Sequence, residues 1–411
     1  MGHERNPNPK PARHIEPTAL DEDRPQPPVD GDESDDDAAE RLPDLTLYKI
    51  LTLLPPSSAT RCKVVCKRWR SMISSPSFVR DHAAAVRSRD PSILLFDGAA
   101  RFPGRIVDEN RTARLALRRW RAEPTEGYGV QNCCGSLACL RNGLGGAELV
   151  NPATGDCFRL GGDSDVVRDR GTRTGADQLP WYCLGRCPST GEYKVIRFDI
   201  RVPYSSAPHV TCEVCALGGR GGQGLSRMWR EVGVWDVNFC PSDGGVHIAG
   251  VVYYVANFLG APFVVGFDLS TYQLRHIDLP AVDDAVASLS ELEGRLCASL
   301  VPAGQWCGDG GVNMDLWVLP DGGQDQHEWI HRYRFELDGS ARHIPRPLFV
   351  SGGRRLIMKC ADGSLCSYDV AGGSDEGAFL VFQHKSGQRM RGATADVFVE
   401  SLLPVRTILQ S

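Results

Sequence analysis

Residues 42–76 read LPDLTLYKILTLLPPSSATRCKVVCKRWRSMISSP, and this stretch decides how the first part of the chain folds. Four of its apolar side chains are spaced i, i+3, i+4 and i+7, which is typical of one face of an α-helix about two turns long. Two consecutive prolines must end that helix, because proline lacks the amide donor and clashes with the preceding turn. The apolar residues are Leu47, Ile50, Leu51 and Leu54, and the prolines are Pro55 and Pro56.

A second helix is predicted directly after the prolines. Ser57 is the expected N-cap, and an apolar stripe continues until the sequence Ser-Ser-Pro at residues 74–76 stops the helix. The stripe comprises Cys62, Val65, Cys66, Trp69 and Ile73. The resulting helical pair or triplet, assigned to residues 41–85, is too small to bury all its apolar side chains, so some of them await a partner.

The residue pattern changes at residue 93. From there on, short runs of β-branched and aromatic residues alternate with Gly, Pro, Asp and Asn. Such runs predict an all-β domain over residues 93–405. Glycine supplies the positive φ that tight turns between strands require. The runs are residues 193–198, 250–256, 263–269, 314–319, 329–335, 356–360, 364–370 and 396–400.

An internal echo decides between β architectures. Residues 151–155 (NPATG) and 188–192 (PSTGE) each precede a strand-like run, and FDLST at residues 267–271 repeats the scheme. Recurring four-stranded units at a spacing of about 40–50 residues indicate a β-propeller, and roughly 310 residues would form about six blades. The predicted fold is therefore a small all-α module followed by a β-propeller.

Composition narrows the class of protein. Residues 1–40 are rich in proline and acidic side chains and predict a disordered tail. A net charge of −5 gives no reason to expect nucleic acid or an anionic membrane as partner. An odd number of cysteines, 15, without an export signal predicts reduced thiols and a location in the cytoplasm, the nucleus or both.

Residues 42–76 closely resemble the F-box motif. The matching positions keep the family's order and spacing, and they are Leu42, Pro43, Ile50, Leu51, Leu54, Pro55, Ser57, Arg61, Val65, Cys66, Lys67, Trp69, Ile73 and Pro76. The region that follows resembles the plant F-box-associated domain, carried by segments such as residues 133–137 (CCGSL), 151–155, 188–195, 316–319 (LWVL) and 398–402 (FVESL).

The resemblance implies a non-catalytic adaptor without cofactor or metal. The helical module would dock on the Skp-type linker of a ubiquitin ligase, and through it on a cullin and a RING subunit, while the propeller presents a protein substrate. The residues implied in docking are Leu42, Pro43, Leu45, Leu47, Ile50, Leu51, Leu54, Pro55, Val65, Cys66 and Trp69.

Charge agrees with that role. Residues 41–90 contain ten Lys or Arg against three Asp, and a basic module suits an acidic partner surface. The alternative is a self-contained helical cap with solvated charges. Two further functions stay open: a propeller scaffold outside any ligase, and a propeller hydrolase or lyase, which clustered acids and histidines around the central channel would favour.

Two groups of residues suggest a zinc site and a substrate-binding site, and each also has a structural explanation. Cys183, Cys187, Cys212 and Cys215 have tolerable spacing for zinc, but the last two lie in a strand-like run whose residues alternate between faces, so buried structural thiols are predicted. Trp306 lies in a glycine-rich loop and is a candidate anchor for substrate, since large aromatic side chains desolvate much area; packing between blades is the alternative and favoured explanation for it. Trp317 and Trp329 are expected in the core.

Overall fold

The computed structural model describes residues 42–86, 91–96, 104–107, 113–115, 128–142, 145–160, 180–201, 209–218, 229–235, 245–258, 261–280, 285–302, 312–320, 328–337, 344–360, 364–370, 379–382 and 394–409. The chain divides into two compact units, Met1–Leu47 and Tyr48–Ser411. The predicted tail at residues 1–40 and Trp306 lie outside the described residues. No helix in the described part of the chain is long and apolar enough to cross a membrane.

Four helices form the first folded region: α1 (Asp44–Thr52), α2 (Pro56–Cys62), α3 (Lys67–Ser74) and α4 (Pro76–Val86). As predicted, α1 ends shortly before the two prolines. Side chains facing inward on the later helices are fully buried, notably Ile73 and Phe78. The Tyr48 ring meets Phe78 edge to face with ring centres 5.2 Å apart, and the Tyr48 hydroxyl donates to Asp81 at 2.7 Å. An aromatic contact and a hydrogen bond thus tie α1 to α4.

The prediction of one helix after the prolines is wrong, because the segment breaks into α2 and α3. Ser57 does not cap α2: the helix begins at Pro56, whose ring presets the helical φ, and Pro55 occupies the N-cap. The break comes at Cys66, which is extended (φ −156°) and whose Sγ accepts the amide of Trp69 at 3.4 Å. The interruption leaves Val64 and Val65 exposed.

The rest of the described chain forms 24 strands in six antiparallel four-stranded sheets, which confirms the predicted propeller of six blades. Blades two to four comprise β4 (Tyr128–Cys134), β5 (Leu137–Asn142), β6 (Ala147–Val150), β7 (Cys157–Leu160); β8 (Trp181–Arg186), β9 (Tyr193–Arg201), β10 (His209–Leu217), β11 (Arg230–Trp235); β12 (Val246–Ile248), β13 (Val251–Phe258), β14 (Ala261–Asp268), β15 (Leu274–Ile277). Blades five and six comprise β16 (Ala285–Leu292), β17 (Arg295–Pro302), β18 (Val312–Val318), β19 (Ile330–Leu337); β20 (Arg346–Ser351), β21 (Arg355–Lys359), β22 (Leu365–Asp369), β23 (Phe379–Phe382).

The first blade closes the ring with strands from both ends of the domain. Its order is β24-β1-β2-β3, from β24 (Thr394–Phe398), β1 (Ser92–Phe96), β2 (Gly104–Val107) and β3 (Ala113–Leu115). In the other blades the inner strand comes first along the chain, but here it is β24, paired antiparallel with β1. The six inner strands β24, β4, β8, β12, β16 and β20 neighbour one another around the centre.

A C-terminal segment follows the closing strand and is fastened to the second blade. Its short helix α5 (Val405–Leu409) is buried among side chains of the second and third blades. Asn151, itself fully buried, donates from Nδ2 to the carbonyls of Ser401 (3.0 Å) and Leu403 (2.8 Å). Asp156 accepts the amide of Val405 at 2.7 Å. The turn at residues 151–156 therefore acts as a clasp for this segment.

The echoed turns share one hydrogen-bond scheme. In each, the first residue donates its amide to a carbonyl five residues on and accepts an amide four residues on, as in the turns that begin at Asn151, Cys187 and Asp268. The fourth residue after the start has positive φ in all three: Gly155, Gly191 and Tyr272. Two of the turns join third to fourth strands, but the turn after β8 joins first to second. The repeat is therefore one of turn type rather than of blade position.

Blade-to-blade packing confirms the prediction of buried thiols. Cys183 and Cys212 pack with Phe198 and Tyr254 between the third and fourth blades, whereas Cys215 packs between the second and third. Cys212 and Cys215 thus face opposite sides of one sheet, as the two-residue period of a strand requires. Trp329 is buried, as predicted, and its Nε1 donates to the Asp278 carbonyl at 2.7 Å.

Candidate functional site

The helical module carries most of the exposed apolar side chains of the described chain. Eight large hydrophobic side chains are exposed in the described part of the chain, and six of them fall within residues 42–65. Side chains of these types are usually buried. The remaining two lie on outer strands of the propeller, β11 and β19. The six are Leu42, Leu45, Ile50, Leu53, Val64 and Val65, and the two are Val234 and Ile330.

The predicted docking residues separate into three groups by exposure. Leu47 and Leu51 are buried, so their side chains support the module and are not available to a partner; one helical turn apart, they face inward together. Leu54 and Trp69 are half-buried. The exposed group comprises Leu42, Pro43, Leu45, Ile50, Pro55, Val65 and Cys66.

Sequence reasoning missed two exposed apolar residues, Leu53 and Val64. Leu53 directly follows α1 and lies off the apolar face of that helix, and this departure from helical periodicity was itself the available signal. Val64 is exposed because α2 ends at Cys62. The spacing of apolar residues did not predict this helix end. Both residues extend the apolar surface that the module offers.

Basic side chains accompany this apolar surface. Arg61, Lys67, Arg68 and Arg70 are all exposed. Two of them are oriented by short-range hydrogen bonds: Arg61 Nη2 donates to Ser58 Oγ at 3.3 Å, and Arg70 Nε donates to the Lys63 carbonyl at 3.1 Å. Apolar side chains bordered by cations fit a partner surface that is apolar with acidic borders.

The propeller has a central channel, a cavity of about 560 Å³ lined by residues of the inner strands and by others such as Tyr193 on β9 and Ile408 on α5. Asn132 on β4, His247 on β12, Arg346 on β20 and Asp396 on β24 line it, together with Glu291 on β16. The channel therefore contains the acids and the histidine that would favour an enzyme. Their hydrogen bonds decide what they do.

Three of these side chains link one blade to the next. Asn132 on β4 bonds both backbone groups of Leu184 on β8, with each distance 2.8 Å. Asp396 on β24 accepts the amide of Cys133 on β4 at 2.5 Å. His247 on β12 lies 3.2 Å from the amide and the carbonyl of Arg186. Side chain to backbone bonds thus fasten the inner strands of the first four blades to one another.

Protonation in the channel also favours a structural role. Cys134 Sγ lies 3.6 Å from His247 Nδ1, a pairing that in a cysteine hydrolase would yield a thiolate. Here burial raises the pKa of Cys134 to about 12, and burial lowers the pKa of His247. Both groups are neutral near pH 7, and a neutral thiol is a weak nucleophile. Burial likewise raises the pKa of Asp396.

Two tryptophans of the third blade lie beside arginine side chains. The Arg141 guanidinium lies 5.1 Å from the ring centre of Trp181, and the Arg197 guanidinium lies 4.8 Å from that of Trp229. Both indoles are half-buried. Half-buried aromatic rings in fixed orientations are typical of surfaces that bind proteins.

Comparison with known proteins covers both regions of the chain. Residues 124–346 match the F-box associated beta propeller domain, and residues 40–81 match the F-box domain. The chain is 27% identical over 362 residues to the F-box/LRR-repeat protein At2g40920 of Arabidopsis thaliana, covering 79% of this chain and 76% of that protein. It is 22% identical over 356 residues to the F-box/kelch-repeat protein At3g23880 of the same plant, covering 81% and 88%.

Proposed function

Because this chain belongs to the F-box proteins that carry an F-box associated beta propeller domain, we propose that it is the substrate-receptor subunit of a Skp/cullin/F-box ubiquitin ligase. Its helical module docks on the Skp-type linker, and its propeller binds a protein substrate. The chain itself performs no bond chemistry. By holding the substrate near a ubiquitin-loaded enzyme, it raises the effective concentration of the reacting groups.

The concentration of exposed apolar side chains on the helical module is the observation that carries the proposal. Ile50 and Val65 expose 45% and 61% of their surface. Burial of such a side chain in an interface is worth about 1 kcal/mol or more, so several of them supply a substantial part of a stable interaction. Clusters of exposed apolar residues in a soluble protein mark interaction sites.

The basic border of the module contributes in a different way. Exposed cations such as Arg61 and Arg68 add little affinity individually, but they speed the approach of an acidic partner at low ionic strength. Association should therefore slow as salt is raised, while the apolar contacts keep dissociation slow.

The proposal is tested by co-expressing the chain with a Skp-type linker and analysing the mixture by size-exclusion chromatography. The variant Ile50→Asp/Val65→Asp places two charges on the module surface. Burying two carboxylates without partners costs several kcal/mol, so we expect co-elution of the wild type and at least about a hundredfold weaker binding by the variant.

The propeller offers a matched control. Ile330 and Val234 are the same residue types, exposed at 54% and 51%, so Ile330→Asp/Val234→Asp makes an equal chemical change elsewhere. This control should co-elute like the wild type. If both variants bind alike while remaining folded, or if the wild type does not bind, the adaptor role is wrong.

A further inference from the structure

Two cysteines meet where the second and third strands of the sixth blade connect. The Sγ atoms of Cys360 and Cys366 lie 3.0 Å apart, both as thiols, and both residues are half-buried. Atoms in ordinary van der Waals contact pack at about 3.5–4.0 Å, and a disulfide bond is about 2.0 Å long. The two sulfurs are therefore within about 1 Å of bonding distance.

The strand register, rather than a chance rotamer, brings these thiols together. Met358 lies opposite Cys366 in the β21–β22 pairing, and the Cys360 amide donates to the Ser364 carbonyl at 2.8 Å. Cys360 is thus opposite Ser364, which precedes β22 and lies two residues before Cys366. Because alternate residues share a face, both thiols project to the same side of the sheet.

We propose that Cys360 and Cys366 form a dithiol modification site that a hydroperoxide oxidises to an intrachain disulfide. The site is separate from the docking surface and does not depend on the proposed adaptor role. The bond would join the two strands at their connected ends and fix their pairing. Partial exposure admits the oxidant, in contrast to Cys212 and Cys215, which are buried and face opposite sides of their sheet.

The chemistry balances with hydrogen peroxide as oxidant. One cysteine, as thiolate, attacks a peroxide oxygen and becomes a sulfenic acid, and the first water leaves with the thiol proton. The second thiol then attacks the sulfenic sulfur, forming the S–S bond and expelling the second water. In total two thiols lose two electrons and two protons, and one peroxide is reduced to two waters.

The chain suits a direct test by mass spectrometry. Trypsin cleavage after Lys359 and Lys385 releases residues 360–385, which contain both cysteines and no others, while cleavage after Arg201 and Arg220 releases residues 202–220 with Cys212 and Cys215. The reduced full-length protein is treated with hydrogen peroxide, denatured with N-ethylmaleimide and digested. We expect the yield of disulfide in peptide 360–385 to exceed that in peptide 202–220 on the order of tenfold or more. Dithiothreitol should reverse the oxidation.

Two further samples decide whether the fold is responsible. Cys366→Ser should abolish the disulfide product, because it replaces the second sulfur with oxygen. In urea, where the register is lost, the advantage of peptide 360–385 should disappear. The proposal is overturned if both peptides carry two maleimides to the same extent in the folded protein, or if urea leaves the yield of disulfide unchanged.

Discussion

Replacing Asn151 with alanine tests the clasp that fastens the C-terminal segment to the second blade. The side chain donates to the carbonyls of Ser401 and Leu403 and accepts the Ala153 amide at 2.9 Å. Each such bond contributes about 1 kcal/mol net, and a buried group left without a partner costs about as much again. We therefore expect N151A to lower the free energy of unfolding by about 3 kcal/mol.

Two measurements separate this effect from general damage to the turn. Urea unfolding gives the loss of stability, and hydrogen exchange should show faster exchange in residues 399–409 than elsewhere. Thr154→Ala is the matched control: in the same turn it removes only one exposed bond, from the Asp156 amide at 3.3 Å, and should cost less than about 1 kcal/mol. Equal losses in the two variants, with exchange unchanged at residues 399–409, would refute the clasp.

Two more predictions concern the propeller. A Cβ on Gly250 would lie 2.2 Å from Pro188 Cδ at φ +88°, whereas a Cβ on Gly294, at φ +79°, would meet open space. G294A should lower the free energy of unfolding by about 1 kcal/mol through backbone strain, and G250A by at least about 2 kcal/mol more through overpacking. Equal melting temperatures of the two variants would contradict the contact with Pro188. Arg334 donates two hydrogen bonds to Asp315 and holds the pKa of that carboxyl below its ordinary value. The ion pair therefore stabilises the fold fully at pH values above the ordinary pKa of an aspartate. This stabilisation is lost as the pH falls through the lowered pKa of the folded state. Melting temperatures measured from about pH 5 to pH 2 should then fall more steeply in the wild type than in D315N, and parallel curves would count against the pair.

The sequence predicted the fold class, the blade number and the family because each depends on repeated or local patterns. Short strand-like runs and turn residues recur throughout the domain, and the echoed turns do share their hydrogen bonds. The alternation of Cys212 and Cys215 followed from strand period alone. The family resemblance rested on spacing along residues 42–76, which the match to the F-box domain at residues 40–81 supports.

The missed features depend on contacts that spacing does not encode. The break between α2 and α3 depends on the extended backbone and thiol cap of Cys66, and the same pattern of residues suits a continuous helix. The exposed apolar surface of the helical module was only partly predictable, since apolar periodicity marks Leu47, Ile50 and Leu51 alike, although two face inward and one outward. The role of Asn151 required knowing where Ser401 and Leu403 lie, some 250 residues on.

Closure of the first blade by β24 sets an order of events during synthesis. The helical module at residues 42–86 leaves the ribosome before the propeller does. The innermost strand of the first blade, Thr394–Phe398, is made roughly 300 residues later, a delay on the order of tens of seconds at usual elongation rates. Throughout that interval β1 lacks its β24 neighbour, and its edge is open to pairing with other chains. A nascent chain can therefore expose its helical module well before the ring of blades is closed.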